Sequence, residues 1–317
     1  MRTIHGFLRL VRWKNLAIIL VAQVLIWYCV LLPLETGYGL DIFLDSLHFG
    51  IFCLSTTLIA AAGYIINDYF DIRIDLRNRP EKVIIGRIIK QRWAIFWHSL
   101  FNLAALLMAA YLVFRIGHWW LLLIPVGTTL LLWVYSTHLK RMFISGNVTV
   151  AVLTALSLYI ITYEPSLYPY FNFSTLININ GHSTLNPFLV VTIYAFFAFM
   201  LTWIREIVKD MEDFKGDAEE GCITMPIKIG LRRTTLFTIV LAALTCIPIV
   251  AAACKLWMHG WKVLAGYISV FLFLPLIYFI ARINARHTTA HYEAMSKWLK
   301  WLMLAGIMTL PLYYFLH

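Results

Sequence analysis

Long apolar runs alternate with short polar connections along the whole chain. Nine runs of 16 to 23 residues can be marked: Asn15–Leu34, Phe49–Ile66, Trp93–Phe114, Trp119–Thr137, Val148–Tyr163, Phe188–Ile204, Thr234–Leu256, Val263–Ala281 and Leu299–Leu316. A helix that crosses a bilayer needs about 20 apolar residues. A membrane β-barrel would show strands of about ten residues with alternating character. The runs here are unbroken, so the pattern predicts nine transmembrane helices, of which Val148–Tyr163 is the shortest and weakest. Trp13, Trp93, Trp119, Trp120, Trp257, Trp261 and Trp298 stand near run ends, where the lipid–water interface favours aromatic rings.

Composition sharpens this picture. Of 317 residues, 61% are hydrophobic and 13% charged, against about 25% charged in soluble domains. Mean hydropathy is +0.78. A water-soluble globular enzyme and a disordered chain are both excluded. The expected fold is all-α and polytopic, a single domain over residues 1–317. The net charge of +10 does not point to nucleic acid: 23 of the 26 Lys and Arg lie in alternate connections or at their edges. Such a bias sets orientation in a membrane. It places the N-terminus in the cytoplasm, the C-terminus outside, and the protein in the cytoplasmic membrane. The opening MRTIHGFLRLVRWKN has no evident cleavage site and is read as the approach to a retained first helix. Five cysteines show no CxxC pair, the histidines show no HExxH setting, and neither a disulfide framework nor a zinc site is expected. The stretch Glu164–Pro187, without Lys or Arg, reads as a solvated connector.

Chemistry concentrates in two acidic segments. NDYFDIRIDLRNRP follows the second run and carries Asp68, Asp71 and Asp75 with Asn67 and Asn78; REIVKDMEDFKGDAEEG follows the sixth and carries Asp210, Asp213 and Asp217, with Glu206 close by. Both trios have the spacing D-x-x-D-x-x-x-D, and corresponding members are 142 residues apart. On a continuous helix the first set spans an arc of about 100° and the second about 60°. The equal offset suggests two related halves, about 1–146 and 147–317. Like charges gathered this closely repel unless cations compensate. Carboxylate oxygens suit magnesium, which binds through one or two carboxylates and substrate phosphates. Two acidic faces with nearby Lys and Arg could therefore hold magnesium ions around a diphosphate. An isolated DxxD in a loop would be read as a solvated face; two matched trios directly after apolar spans are not.

At these residues the chain resembles the UbiA superfamily of intramembrane prenyltransferases. The resemblance rests on NDxxDxxxDxxNRP at Asn67–Pro80, on KDMEDFKGDAEEGCITMPIKIG, on YSTHLKRMFISGN at Tyr135–Asn147 and on RWKN at Arg12–Asn15. It implies nine helices around a central cavity open toward lipid, with a cytoplasmic cap of two Asp-rich loops. It implies magnesium-dependent transfer of a prenyl group from a polyprenyl diphosphate, geranylgeranyl diphosphate foremost, to a lipophilic acceptor. Carried over by position, Asp68, Asp71, Asp75, Asp210, Asp213 and Asp217 are the metal-binding and catalytic carboxylates, and Lys140 a catalytic diphosphate contact. Asn67, Arg79, Arg12, Asn15, Tyr135 and Arg141 are the implied substrate-binding residues. Among branches, NDYFD…NRP is most similar to the geranylgeranylglycerol-phosphate geranylgeranyltransferase branch, with aromatic or quinone-precursor prenyltransferases as the alternative. Outside the family, a cation-coupled transporter would also place carboxylates among spans, but near mid-membrane and in broken helices. Neither nucleic acid nor an obligate protein partner is expected.

Overall fold

The computed structural model describes residues 2–40, 42, 44–78, 80–162, 167, 169, 171, 172, 174, 176–179 and 182–316. Thirteen helical segments account for most of them: α1 Arg2–Leu10, α2 Trp13–Gly37, α3 Ser46–Phe70, α4 Ile72–Asn78, α5 Gln91–Ile116, α6 Trp120–Thr137, α7 Ser145–Tyr159, α8 Pro187–Glu212, α9 Phe214–Glu219, α10 Met225–Ile229, α11 Leu231–Met258, α12 Lys262–Arg282 and α13 Thr289–Leu316. Eight of these (α2, α3, α5, α6, α8, α11, α12 and α13) are long and apolar enough to cross a membrane. The fifth expected span is the shorter α7, extended by a 3₁₀ turn at Ile160–Thr162. The connector expected to be plain contains an antiparallel hairpin, β1 Leu176–Ile179 with β2 His182–Leu185, pairing Leu176 with Leu185.

Exposure of the apolar side chains supports the membrane reading. Leu103, Leu107 and Phe114 of α5 are 57%, 62% and 84% exposed. Water would penalise such a surface by about 25 cal/mol per Å²; lipid does not. Inward faces are small and close-packed. A Cβ on Gly63 of α3 would meet Leu132 Cδ1 of α6 at 2.9 Å, so these helices approach closely only because residue 63 is glycine.

Helix ends and irregularities follow local sequence. The Asp45 carboxylate accepts from His48 N–H at 2.9 Å and so caps α3. That bond, and His48's ring, hold its carboxyl below the usual carboxylate range. Asn186 caps α8 by accepting from Phe188 N–H at 3.0 Å, with Pro187 in the first turn. Wide π-turns interrupt α2 at Trp27–Leu31 and α12 at Ser269–Phe273. Each stands just ahead of a proline, Pro33 and Pro275. A proline ring collides with the carbonyl four residues back, and one extra residue in the turn relieves that collision.

The chain forms two compact units. One consists mainly of Met1–Val24 and Asp41–Arg141, the other of Leu25–Leu40, Met142–Tyr163 and Leu167–His317. In the first, Leu10 and Val11 pack with Ala61 and Ile65 of α3, with Ile84, Ile85 and Ile89, and with Ala94. This cluster anchors α1 and the tight turn after α4 beside the end of α3. In the second, Ile204, Ile207, Val208 and Met211 of α8 share a core with Leu241 of α11, Phe279 of α12, and Tyr292 and Leu299 of α13. Each core packs around the helix that carries one acidic trio.

Candidate active site

Both trios, expected on Asp-rich loops, lie on helix that breaks only at the central aspartate. α3 ends at Phe70, Asp71 has φ −92°, ψ 1°, and α4 begins at Ile72. α8 ends at Glu212, Asp213 has φ −93°, ψ 5°, and α9 begins at Phe214. The backbone bonds around the breaks also correspond. Asp71 N–H donates to Asn67 O and Asp75 N–H to Asp71 O; Asp213 N–H donates to Lys209 O and Asp217 N–H to Asp213 O. The sparsely allowed bridge region of φ/ψ is where many active-site residues sit.

In the first unit, the trio is met by two cations. Arg12 Nη2 donates to Asp68 Oδ1 at 2.7 Å, and Lys140 Nζ pairs with Asp71 Oδ1 at 2.6 Å. Lys140 also reaches Asn67 O and Oδ1 at 3.4 Å, while Asn67 Nδ2 donates to Asp71 Oδ2 at 2.9 Å. The Lys140 side chain is 9% exposed. Burial pushes its ammonium below the ordinary lysine range, against the pull of Asp71. Arg12 has φ 51° and is the only non-glycine residue in the left-handed region among those described. Such backbone costs about 1–3 kcal/mol. It turns the chain from α1 into α2 and aims the guanidinium at Asp68. Arg12 also lies 4.9 Å over the Tyr64 ring, whose hydroxyl accepts from Asn15 Nδ2 at 3.3 Å.

In the second unit, Asp210 Oδ2 accepts from Asn147 Nδ2 of α7 at 2.8 Å. Glu206 Oε1 accepts from Arg205 Nη1 at 2.9 Å and from Lys209 Nζ at 2.6 Å. Asp217 lies on α9, and its carbonyl accepts from Cys222 N–H at 3.0 Å.

Asn67, Asp68, Asp71, Lys140, Arg12 and Asn15 thus come together around the end of α3. Asp75 sits half-buried on α4, Tyr135 half-buried on α6, and Arg141 exposed beside Lys140. Arg79 lies outside the described residues. Sequence reasoning passed over Tyr64, Asn147 and Arg205. Tyr64 stands one turn before Asp68 on the same helix face, and Asn147 closes the YSTHLKRMFISGN segment, so both carried a signal. Among the described residues, no three His, Cys, Asp or Glu side chains converge into a ready-made metal site. The donor set nonetheless fits magnesium. It offers hard carboxylate oxygens, the ligands magnesium prefers.

These features define an integral membrane protein of long α-helices that carries two matched acidic helix breaks, one in each compact unit. The chain belongs to the UbiA prenyltransferase family, whose model matches residues 25–304. It is 36% identical over 187 residues to a digeranylgeranylglyceryl phosphate synthase of Methanothermobacter thermautotrophicus, a match spanning 58% of this chain and 57% of that protein. Over 257 residues it is 30% identical to a digeranylgeranylglyceryl phosphate synthase of Methanobrevibacter smithii, covering 79% of this chain and 81% of that one. A solved UbiA homologue from Archaeoglobus fulgidus, bound to DMAPP and Mg²⁺, shares the fold with a TM-score of 0.54 at 18% identity, covering 95% of this chain and 98% of that one.

Proposed function

We propose that this protein transfers a prenyl group, geranylgeranyl foremost, from its diphosphate to the hydroxyl of a prenylglycerol phosphate, with magnesium as cofactor. The observation that carries this reading is the pair of Asp-centred helix breaks, one of which holds Lys140 and Arg12 on its carboxylates. Relatives named as digeranylgeranylglyceryl phosphate synthases, and the homologue bound to DMAPP and Mg²⁺, support the choice of substrates.

Asp68, Asp71 and Asp75, and separately Asp210, Asp213 and Asp217, would hold the magnesium ions. Bound there, magnesium supplies positive charge to diphosphate oxygens. Lys140 and Arg12 exchange carboxylate partners for diphosphate oxygens, with Asn67 holding the Asp71 carboxylate in place. Charge develops on the leaving oxygen as the allylic C–O bond breaks, and donors fixed beforehand stabilise it most. The new bond forms between the allylic carbon and the acceptor oxygen; diphosphate and one proton are released. Apolar surroundings keep water from capturing the prenyl cation. Asn15, Tyr135, Arg79 and Arg141 complete the proposed substrate contacts.

The test is incubation of purified protein with magnesium, labelled geranylgeranyl diphosphate and separate acceptors: geranylgeranylglycerol phosphate, 4-hydroxybenzoate and a hydroquinone. Mass spectrometry should find a di-ether phosphate product. A prenylated aromatic product alone would move the protein to an aromatic acceptor, and no transfer to any acceptor would end the reading.

The same reading places the protein in the cytoplasmic membrane with its N-terminus in the cytoplasm and its C-terminus outside. The Lys and Arg bias supports this, with Lys297 and Lys300 on α13. Reporter fusions at the two ends should report opposite sides. Reports from the same side would require an even number of crossings, with α7 not spanning.

A further inference from the structure

A concave space of about 460 Å³ opens at the start of α11, lined by Arg232, Arg233, Thr235, Leu236, Ile239 and Asn284. We propose that it is a binding site for an anionic phospholipid of the surrounding bilayer, with the phosphate held by Arg232 and Arg233.

Depth along the helix sorts the lining by chemistry. Arg232 and Arg233 occupy the first turn of a 28-residue apolar helix, the end that a membrane-spanning helix presents to lipid headgroups. Leu236 and Ile239 lie one to two turns further in, about 5–10 Å deeper at 1.5 Å per residue. Leu236 is 62% exposed, as a side chain facing acyl chains would be. Asn284, in the connection between α12 and α13, adds an exposed amide at the rim. The space is polar and cationic at its outer end and apolar at its inner end, which is the profile of a lipid and not of a soluble anion.

The charge arrangement asks for an anion. Both arginines are exposed, and among the described residues neither makes a salt bridge. α11 has no acidic residue in its first turn, and its cap, Gly230, supplies no side-chain acceptor. Cations at a helix N-terminus oppose the helix dipole, so this pair is placed where its own helix disfavours it. A phosphate offsets both effects, and paired guanidinium groups suit its oxygens. Orientation by positive charge alone would not require a cavity. The nearby Arg286 is exposed and does not line it, which makes it a control.

The experiment uses the full-length protein in neutral detergent. Retention of phosphatidylglycerol, phosphatidylcholine and inorganic phosphate is read by native mass spectrometry and by melting-temperature shift. Phosphatidylglycerol should be retained and should raise the melting temperature; phosphatidylcholine and inorganic phosphate should do neither. Each basic residue near a membrane surface contributes about 1 kcal/mol to anionic lipid binding, so Arg232→Gln with Arg233→Gln should weaken retention roughly thirty-fold. Arg286→Gln should leave it unchanged. Leu236→Gln, with both arginines intact, should weaken it less. The single Arg233→Gln serves if the double variant does not fold. Equal retention of phosphatidylcholine, equal protection by inorganic phosphate, or unchanged phosphatidylglycerol binding in the arginine variants would each overturn the proposal.

Discussion

Asp71→Ala and Asp213→Ala are each expected to lower prenyl transfer about 10²–10³-fold, the loss typical when one preorganised electrostatic group is removed. Each residue is the point at which its helix breaks, and the two have φ/ψ within a few degrees of each other. Glu220→Ala, at the C-terminal cap of α9, should stay within a few-fold of wild type. Single-turnover assays at limiting magnesium decide the matter. Near wild-type rates in both aspartate variants would reduce the clusters to solvated helix ends.

Stability should not follow the loss of activity in a simple way. Repulsion within an acidic trio, taken alone, predicts that deleting one carboxylate holds or raises the stability of the metal-free protein. The structure reverses that expectation for Asp71. Its carboxylate is engaged by Lys140 and Asn67, and removing it leaves a buried ammonium without its carboxylate. Breaking a buried pair by deleting one partner costs about 3–5 kcal/mol when fully buried, and less here because Asp71 is 16% exposed. Asp71→Ala should therefore melt below wild type in EDTA, whereas Asp71→Asn, which keeps an acceptor, should fall less.

The apolar runs revealed the spans because lipid leaves long helices no other composition. Their ends were harder to place. Asn67 and Asp68 look like loop residues beside an apolar run, yet they complete the last turn of α3; Lys209 and Asp210 do the same on α8. Polar residues at the rim of a membrane helix keep their backbone bonds while their side chains reach water or each other, and hydropathy cannot register that. The acidic spacing and its 142-residue offset were legible because they lie within short segments. The partners were not. Arg12 meets Asp68 across 56 positions, and Lys140 meets Asn67 across 73. Packing of Leu10 and Val11 against Ala61, Ile65 and Ile84 brings α1 beside the end of α3. The helix break at Asp71 also lay beyond sequence reasoning, since a uniform 100° per residue already placed the carboxylates on one face.

Lys140→Met is expected to separate two properties that most site mutations damage together. The Lys140 ammonium sits 2.6 Å from Asp71 Oδ1, an oxygen proposed to bind magnesium. The two cations compete for one acceptor and repel each other. Replacing the ammonium with an apolar side chain of similar length removes that competition, so magnesium alone should bind more tightly to Lys140→Met than to wild type. Turnover should move the other way. With diphosphate bound, Lys140 is proposed to donate to the leaving group, and its loss should lower kcat/KM roughly 10²-fold. Lys140→Arg keeps the charge but replaces a compact ammonium with a planar fork, so it should recover only part of the rate. Asp71→Asn should weaken magnesium binding. In the double variant with Lys140→Met, the change in magnesium affinity should differ from the sum of the single changes, because the two side chains are in contact. Magnesium titration by calorimetry without substrate, paired with steady-state kinetics, measures both quantities on the same preparations. If magnesium affinity and turnover fall together in Lys140→Met, the lysine serves to hold the metal-binding carboxylates in place, and its assignment to the diphosphate is wrong.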